Sequence, residues 1–366
     1  MKIVFGHQIF SVQKYGGISR YFYELASQIN NTSSNNIEIF SPLYINEYFI
    51  NNDEVRPQGI KLKAHNKVGQ VITRLNSLAS QFVLRPRNNI DIYHQTYYSN
   101  IVNYPKSAAN IVTVFDMVHE KFPDMFTKND KSRQKKLNSV NRADHIICIS
   151  KNTQKDLIEL LGIPEEKTSV VYLGNSLMLK DYADKVPDES KPFILFVGKR
   201  YGYKNFKNLL IAYANSQMLK NQFSIICFGG GLLLDEEIEL ISSLNIDNNS
   251  IKYIEGDDNI LSSLYASAAV FVYPSLYEGF GIPPLEAMSH GCPVVCSNTS
   301  SIPEVVGDAG VFFDPLEPIE IREAIEKVVS TSALSNKLIK SGFDRAKKFS
   351  WKECAEQTIK IYENVI

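Results

Sequence analysis

Short apolar runs rich in β-branched residues alternate along this chain with longer segments of helical period. The runs fall at residues 2–5, 37–40, 90–94, 110–115, 145–150, 169–173, 193–197, 224–228, 251–254, 269–273 and 293–296. Each is continuous and is bounded by Gly, Pro, Asp or Asn, as expected for parallel strands buried on both faces. Helical patterns occupy 19–30, 150–161, 205–216 and 284–290, and the stretch 334–366 also reads as helical. Such alternation predicts an α/β protein with doubly wound sheets. The strands divide into two groups around a polar stretch at 180–192, bounded by Pro187 and Pro192, which reads as a linker. The expected architecture is therefore two facing Rossmann-like domains, 1–180 and 181–345, with 346–366 as a terminal helix. Ligands of such sheets bind beyond the carboxyl ends of the strands, so the expected site is an interdomain cleft.

A length of 366 residues suits two domains of ordinary size, and 44% hydrophobic with 22% charged residues excludes disorder and low complexity. The net charge of −1 leaves no global nucleic-acid footprint. Residues 1–180 nevertheless hold 22 basic and 15 acidic side chains, against 17 and 25 in the remainder. Either the two halves meet different partners or the asymmetry is incidental. The five cysteines, Cys148, Cys227, Cys292, Cys296 and Cys354, form no Cys-x-x-Cys pair. They read as buried thiols of a reducing compartment. The apolar run after Met1 stops at Gly6, short of a signal peptide core, and no later run approaches a membrane span. A cytoplasmic protein is expected, with the inner face of the membrane open as a site of peripheral contact.

The most informative segment is Pro274-Ser-Leu-Tyr-Glu278-Gly279-Phe280-Gly281-Ile-Pro-Pro-Leu-Glu286, which begins where a strand ends. Gly279 and Gly281 permit a tight turn, and Pro283-Pro284 preset a helix start. Bare amides at such a start attract phosphate. Glu278 in the loop and Glu286 in the helix are two carboxylates whose burial calls for hydroxyls or donors, which a sugar and a ribose would supply. The alternative is a capping carboxylate with an ordinary helix ion pair.

The spacing Glu278-x7-Glu286 resembles the signature of the retaining glycosyltransferases of family 4, which have the two-domain GT-B fold. Further segments similar to that family are Val197-Gly-Lys199-Arg200-Tyr-Gly-Tyr-Lys204-Asn, Ser150-Lys-Asn-Thr153, Ser300-Ser-Ile-Pro-Glu304 and Tyr15-Gly16-Gly17-Ile-Ser-Arg20. The resemblance implies a nucleotide-diphosphate sugar, UDP- or GDP-linked, as donor substrate, with no resident cofactor and no metal. It implies that Glu278 and the 279–281 amides meet the transferred sugar, that Glu286 holds the ribose, and that Arg200 and Lys204 neutralise the diphosphate. The family commonly has its first basic residue directly after the glycine, a place that Lys199 fills here. Whether Lys199 or Arg200 meets phosphate stays open. The implied reaction is hexosyl transfer to a glycan or lipid-linked acceptor, in surface polysaccharide synthesis. A nucleotide-sugar epimerase and a non-catalytic binder or assembly protein are alternatives on the same fold.

In the first domain, Gly16 and Gly17 would let backbone approach the diphosphate or the acceptor, unless they form a plain turn. Where the family has a His-Asp pair at a strand end, this chain has Phe115-Asp116. Asp116 is then the retained member, and His119 either reaches the cleft or lies at the surface. His94 and His7 end other strands and are either site residues or structural. No Asp-x-Asp follows a strand, as a metal-dependent transferase would need, and no His/Cys cluster has zinc spacing. The Gly229-Gly-Gly231 run lacks the Lys-Ser/Thr of an ATPase phosphate loop. Basic clusters at 61–67, 85–87 and 131–136 could hold the first domain against an anionic membrane or be solvated faces.

Overall fold

The structure, a computed structural model, describes residues 1–49, 55–63, 68–102, 104–177 and 191–366. The expected linker lies outside the described residues apart from 191 and 192, as do residues 64–67 of the first basic cluster. In chain order the elements run β1 (Lys2–Phe5), α1 (Gly17–Thr32), β2 (Asn36–Tyr44), β3 (Pro57–Lys61), α2 (Gly69–Val83), β4 (Ile92–Gln95) and β5 (Ala109–Val114). They continue with α3 (Val118–Lys121), α4 (Ser132–Arg142), β6 (His145–Cys148), α5 (Lys151–Leu161), β7 (Thr168–Val170), β8 (Phe193–Val197), α6 (Phe206–Ala214) and α7 (Gln217–Gln222). Next come β9 (Ser224–Phe228), α8 (Asp235–Ser243), β10 (Ile251–Ile254), α9 (Asp258–Ser267), β11 (Val270–Tyr273) and α10 (Ile282–Ser289). The last are β12 (Val294–Ser297), α11 (Ile302–Val306), β13 (Gly310–Phe313), α12 (Pro318–Ser330), α13 (Ser332–Ala346) and α14 (Trp351–Val365).

The chain forms two compact units, Met1–Gly174 with Ser350–Ile366, and Asn175–Phe349. The first is built on a seven-stranded parallel sheet in the order β3-β2-β1-β4-β5-β6-β7. Helix α1 buries Tyr21, Phe22, Leu25, Ala26 and Ile29, a helical-period stripe that drives it onto the unit's core. Helix α14 belongs to the same unit. Ser350 caps its start by accepting a bond from the Glu353 amide at 3.1 Å, which also separates it from α13. Its Trp351 ring packs on Tyr21 at 5.9 Å, and the Tyr362 hydroxyl lies 2.6 Å from His94 Nδ1. The chain approaches so closely at Gly174 that a Cβ there would lie 2.3 Å from the Trp351 amide nitrogen.

The second unit is built on a six-stranded sheet in the order β10-β9-β8-β11-β12-β13, again with every pairing parallel. β8 reads Phe-Ile-Leu-Phe-Val and is buried throughout, because it lies in the middle of the sheet with helices on its faces. Phe196 packs against Phe206 of α6 at 5.0 Å, within a core that also takes Leu209, Leu210, Tyr213 and Val270.

The edge strands β3 and β13 and the helix α2 were not foreseen from the pattern. β3 reads Pro-Gln-Gly-Ile-Lys and exposes three of its five residues, so it carries no apolar run. Its proline stands at the first residue of an edge strand, where a missing N–H is tolerated.

Candidate functional site

In the second unit the strand order reverses between β8 and β11, and ligands of such sheets bind outside the carboxyl ends of the strands at this point. Two loops leave the sheet here. The loop after β8 passes Gly198 (φ 123°) and Lys199, makes a single turn of 3₁₀ helix at Gly202–Lys204, and enters α6 through Asn205 at φ 57°. The loop after β11 carries 274–281. The two are joined by main-chain and side-chain bonds. The Leu276 amide donates to Tyr203 O at 2.7 Å, and Asn205 Nδ2 donates to Pro274 O at 3.0 Å and Pro315 O at 2.7 Å. A left-handed Asn between strand and helix aims the preceding lysine back over the strand ends.

Lys204 Nζ pairs with Glu278 Oε1 at 2.6 Å, over the rings of Tyr273 and Tyr203 at 5.4 and 5.5 Å. Both side chains are largely sheltered, and burial followed by the Glu278 charge pushes the Tyr273 hydroxyl well up from its ordinary value. The Glu278 main chain is held from the loop between β12 and α11: its amide donates to Ser300 Oγ at 2.9 Å, and the Ser301 hydroxyl lies 2.8 Å from Glu278 O and 2.6 Å from Phe280 O. Ser300 adopts φ 53°, a conformation few L-residues accept. Gly281, at φ 128°, starts α10 without a side-chain cap. Pro283 and Pro284 supply no N–H, so the first helical turn offers the Ile282 amide, and other amide contacts to an anion must come from 279–281. Phe280 is buried against Phe349 at 5.7 Å. Glu286 lies on the buried face of α10, where Oε2 accepts a bond from the Tyr265 hydroxyl at 3.1 Å.

Arg200 and Lys204, expected to act together, have separate partners. The Arg200 guanidinium is buried; Nε donates to Glu237 at 2.9 Å, Nη1 to Gly229 O at 3.1 Å, and Nη2 to Gly231 O and Leu232 O at 2.9 and 2.7 Å. Four of its five N–H groups are thus committed to the glycine run after β9 and to α8. Gly229, Gly230 and Gly231 all have φ near +80°, and the carbonyls of Gly229 and Gly231 face the guanidinium. Lys199, one residue earlier, is exposed, with Nζ 5.6 Å from the centre of the Tyr201 ring.

The remaining candidates belong to the first unit. Gly17 opens α1 with nothing within 4 Å of a would-be Cβ, leaving room for a close approach; at Gly16 a Cβ would stand 2.6 Å from the Gln13 side-chain oxygen. Asp116 follows β5; Oδ1 caps the Val118 amide at 3.1 Å and stands 3.8 Å from Lys136 Nζ. His119 does not stand free: its ring stacks on Phe126 at 4.0 Å, and Nε2 lies 3.6 Å from Asp130 Oδ2. Phe115 is a core residue, edge-on to Tyr21 at 5.2 Å. His94 is structural, held between Tyr362 and Thr113, and burial lowers its pKa to about 3. His7 is equally buried beside Ser11 and Ser77, with a pKa lowered to about 3 for the same reason. Lys136 leaves the basic surface cluster at 131–136: it is buried and paired with Glu120 at 2.6 Å.

Ser301, Tyr265 and Glu237 were not singled out from the sequence. Only the Ser300-Ser-Ile-Pro-Glu304 segment signalled one of them. Among the described residues no group of three or more His, Cys, Asp or Glu side chains could hold a metal ion, and no helix is long and apolar enough to cross a membrane. All five cysteines are free and buried, and burial raises each thiol's pKa.

The fold matches the Anabaena protein Alr3699/HepE, solved with UDP and glucose, at a TM-score of 0.73, with 18% identity and complete coverage of both chains. Two parallel doubly wound units of this kind make the GT-B architecture. The model for "Glycosyl transferases group 1" matches residues 180–345, and that for "Glycosyltransferase Family 4" matches residues 15–177. The chain belongs to glycosyltransferase family 4. It is 34% identical over 238 residues to the O-antigen chain mannosyltransferase B of Escherichia coli, covering 62% of each chain. It is 29% identical over 249 residues to the serotype-specific mannosyltransferase WbdA of Escherichia coli, a match over 63% of this chain and 30% of WbdA. The chain thus spans about three fifths of the first relative and under a third of the second.

Proposed function

We propose that this protein is a retaining, metal-independent glycosyltransferase that moves a hexose from a nucleotide-diphosphate sugar to a glycan or lipid-linked acceptor in surface polysaccharide synthesis. The observation that carries the reading is the sheltered Lys204–Glu278 pair at the carboxyl ends of β8 and β11. A fixed cation there meets the charge that gathers on a departing diphosphate, and Lys199 is the second cation free to do so. Glu278, held at its side chain by Lys204 and at its main chain by Ser300 and Ser301, is the candidate to orient sugar hydroxyls. Glu286, steadied by Tyr265, is the candidate for the ribose. The names of the relatives support mannose as the transferred sugar and O-antigen-type glycans as products.

In the reaction proposed, the bond between the anomeric carbon and the phosphate oxygen breaks, with its electron pair going to the diphosphate. The acceptor hydroxyl bonds to the same face of that carbon, and its proton passes to the departing phosphate oxygen. The protein contributes positioning and preorganised charge. The test is a panel of UDP- and GDP-sugars, read by thermal stabilisation, by nucleotide release with added acceptor, and by NMR of the product linkage. GDP-mannose is expected to stabilise the protein and to give an α-linked product. A β-linkage would refute retention, and silence across the whole panel would refute the transferase reading.

A further inference from the structure

Helix α2 is built inside out. Its buried side holds Ile72 together with Asn76, Ser77 and Ser80. Polar bonds tie it to the first unit: Asn76 Nδ2 donates to Ser11 Oγ at 2.9 Å and Leu43 O at 2.7 Å, and Asn76 Oδ1 accepts from the Leu43 amide at 2.9 Å. Gly69 brings the helix start down onto Ser11 and Val12, where a Cβ would stand 3.0 Å from Ser11 O. The opposite side carries Val71, Leu75, Leu78 and Phe82, all exposed, with Phe82 at 77%. At about 100° per residue these four side chains fall within about 60° of one another, a continuous stripe along the helix. A helix fixed by polar clamps with its apolar stripe outward has an unfilled contact.

The charge around this stripe identifies what fills it. Residues 55–90 contain no Asp or Glu, yet hold Arg56, Lys61, Lys63, Lys67, Arg74, Arg85 and Arg87. Those seven cations equal the whole basic surplus of the first half of the chain. Lys61 and Arg87 are matched by Glu47 and Glu38, whereas Arg74, beside the stripe, and Arg85, just past its end, are exposed. Outward apolar side chains with exposed arginines beside them, on a helix that carries no Asp or Glu, fit the interface of an anionic bilayer, where both attractions act together. We infer that α2 is an in-plane membrane anchor, its Val71–Leu75–Leu78–Phe82 stripe entering the headgroup boundary of an anionic bilayer while Arg74 and Arg85 engage lipid phosphates. The inference does not depend on the transfer reaction.

Cosedimentation of the full chain with phosphatidylglycerol/phosphatidylcholine vesicles and with pure phosphatidylcholine vesicles tests it. Binding is expected on the anionic vesicles, weakening several-fold in high salt. The combined L75Q, L78Q and F82Q variant should lose more than tenfold in partitioning with an unchanged melting temperature, and R74Q with R85Q about 25-fold in low salt, at about fivefold per cation. F82W provides a readout in an otherwise native helix, since the one native tryptophan, Trp351, is buried. Its emission should shift to the blue and be quenched by brominated lipid. Full binding by the glutamine variant, no binding by the native chain, or unshifted emission from the F82W variant would overturn the inference. So would a native dimer that the glutamine variant dissolves, which would make this face a contact between copies.

Discussion

Replacing Arg200 by Met, beside Lys199→Gln, tests whether the buried cation holds the fold and the exposed one meets the donor, as proposed. The Arg200 side chain is 2% exposed and its Glu237 partner 13%. Met keeps most of the stem volume but leaves Gly229 O, Gly231 O and Leu232 O without their donor and Glu237 without its counter-charge. Breaking a fully buried pair on one side costs about 3–5 kcal/mol. Glu237 retains some water, so the lower end, about 3 kcal/mol, applies. At about 2–4 °C per kcal/mol for a unit of this size, the melting transition of the second unit should fall by about 6–12 °C. Lys199→Gln removes an exposed cation and should leave that transition within about 1 °C. A lost charged contact of about 1.5–3 kcal/mol would instead lower donor affinity by about 10- to 150-fold. Calorimetric melting paired with titration of the donor nucleotide measures both effects. An Arg200→Met protein with native melting and collapsed nucleotide affinity would refute the assignment, and so would a Lys199→Gln protein that binds donor normally.

On the proposed reaction, in which Glu278 contacts the reacting sugar, Glu278→Gln should lower kcat strongly, while Glu286→Gln and Tyr265→Phe should mainly raise KM for the donor. Steady-state kinetics on the three variants would show this, and a Glu286 effect confined to kcat would contradict it. Transfer should survive EDTA, with Lys199 and Lys204 supplying the counter-charge; activity that collapses and returns with Mn²⁺ would exclude that. His7 and His94 are buried neutral, each with its pKa lowered from 6.5 to about 3 by burial. The unfolded chain therefore takes up their protons first. Stability is complete above pH 6.5 and falls toward pH 3 by about 1.4 kcal/mol per pH unit for each histidine. Urea midpoints across that range, with His94→Gln flattening the slope, provide the check.

Much of the core of each sheet was legible in the order of residues, because a strand buried on both faces must be apolar at consecutive positions. The runs at 193–197, 224–228 and 251–254 coincide with β8, β9 and β10 residue for residue. Loop chemistry was legible for a local reason as well: Gly281 admits a positive φ and Pro283 and Pro284 fix theirs, so the turn into α10 follows from its own residues. Of the four edge strands, β7 and β10 carry a recognisable run, whereas β3, with three of its five residues exposed, and β13, with three of its four only half-buried, escaped. Side-chain direction escaped as well. Lys199 and Arg200 are adjacent cations leaving the same strand, and nothing local distinguishes them. The carbonyls of Gly229, Gly231 and Leu232, some 30 residues further on, draw Arg200 inward. In the same way a basic cluster does not show that Lys136 turns in to Glu120 and the Asp116 carbonyl. Composition of α2 showed apolar and polar residues alike; only the clamps from Asn76 to Ser11 and Leu43 determined that the apolar stripe faces out. Period and turn chemistry act within a few residues of the chain, whereas burial of a charge or exposure of a stripe depends on partners that folding brings from far along it.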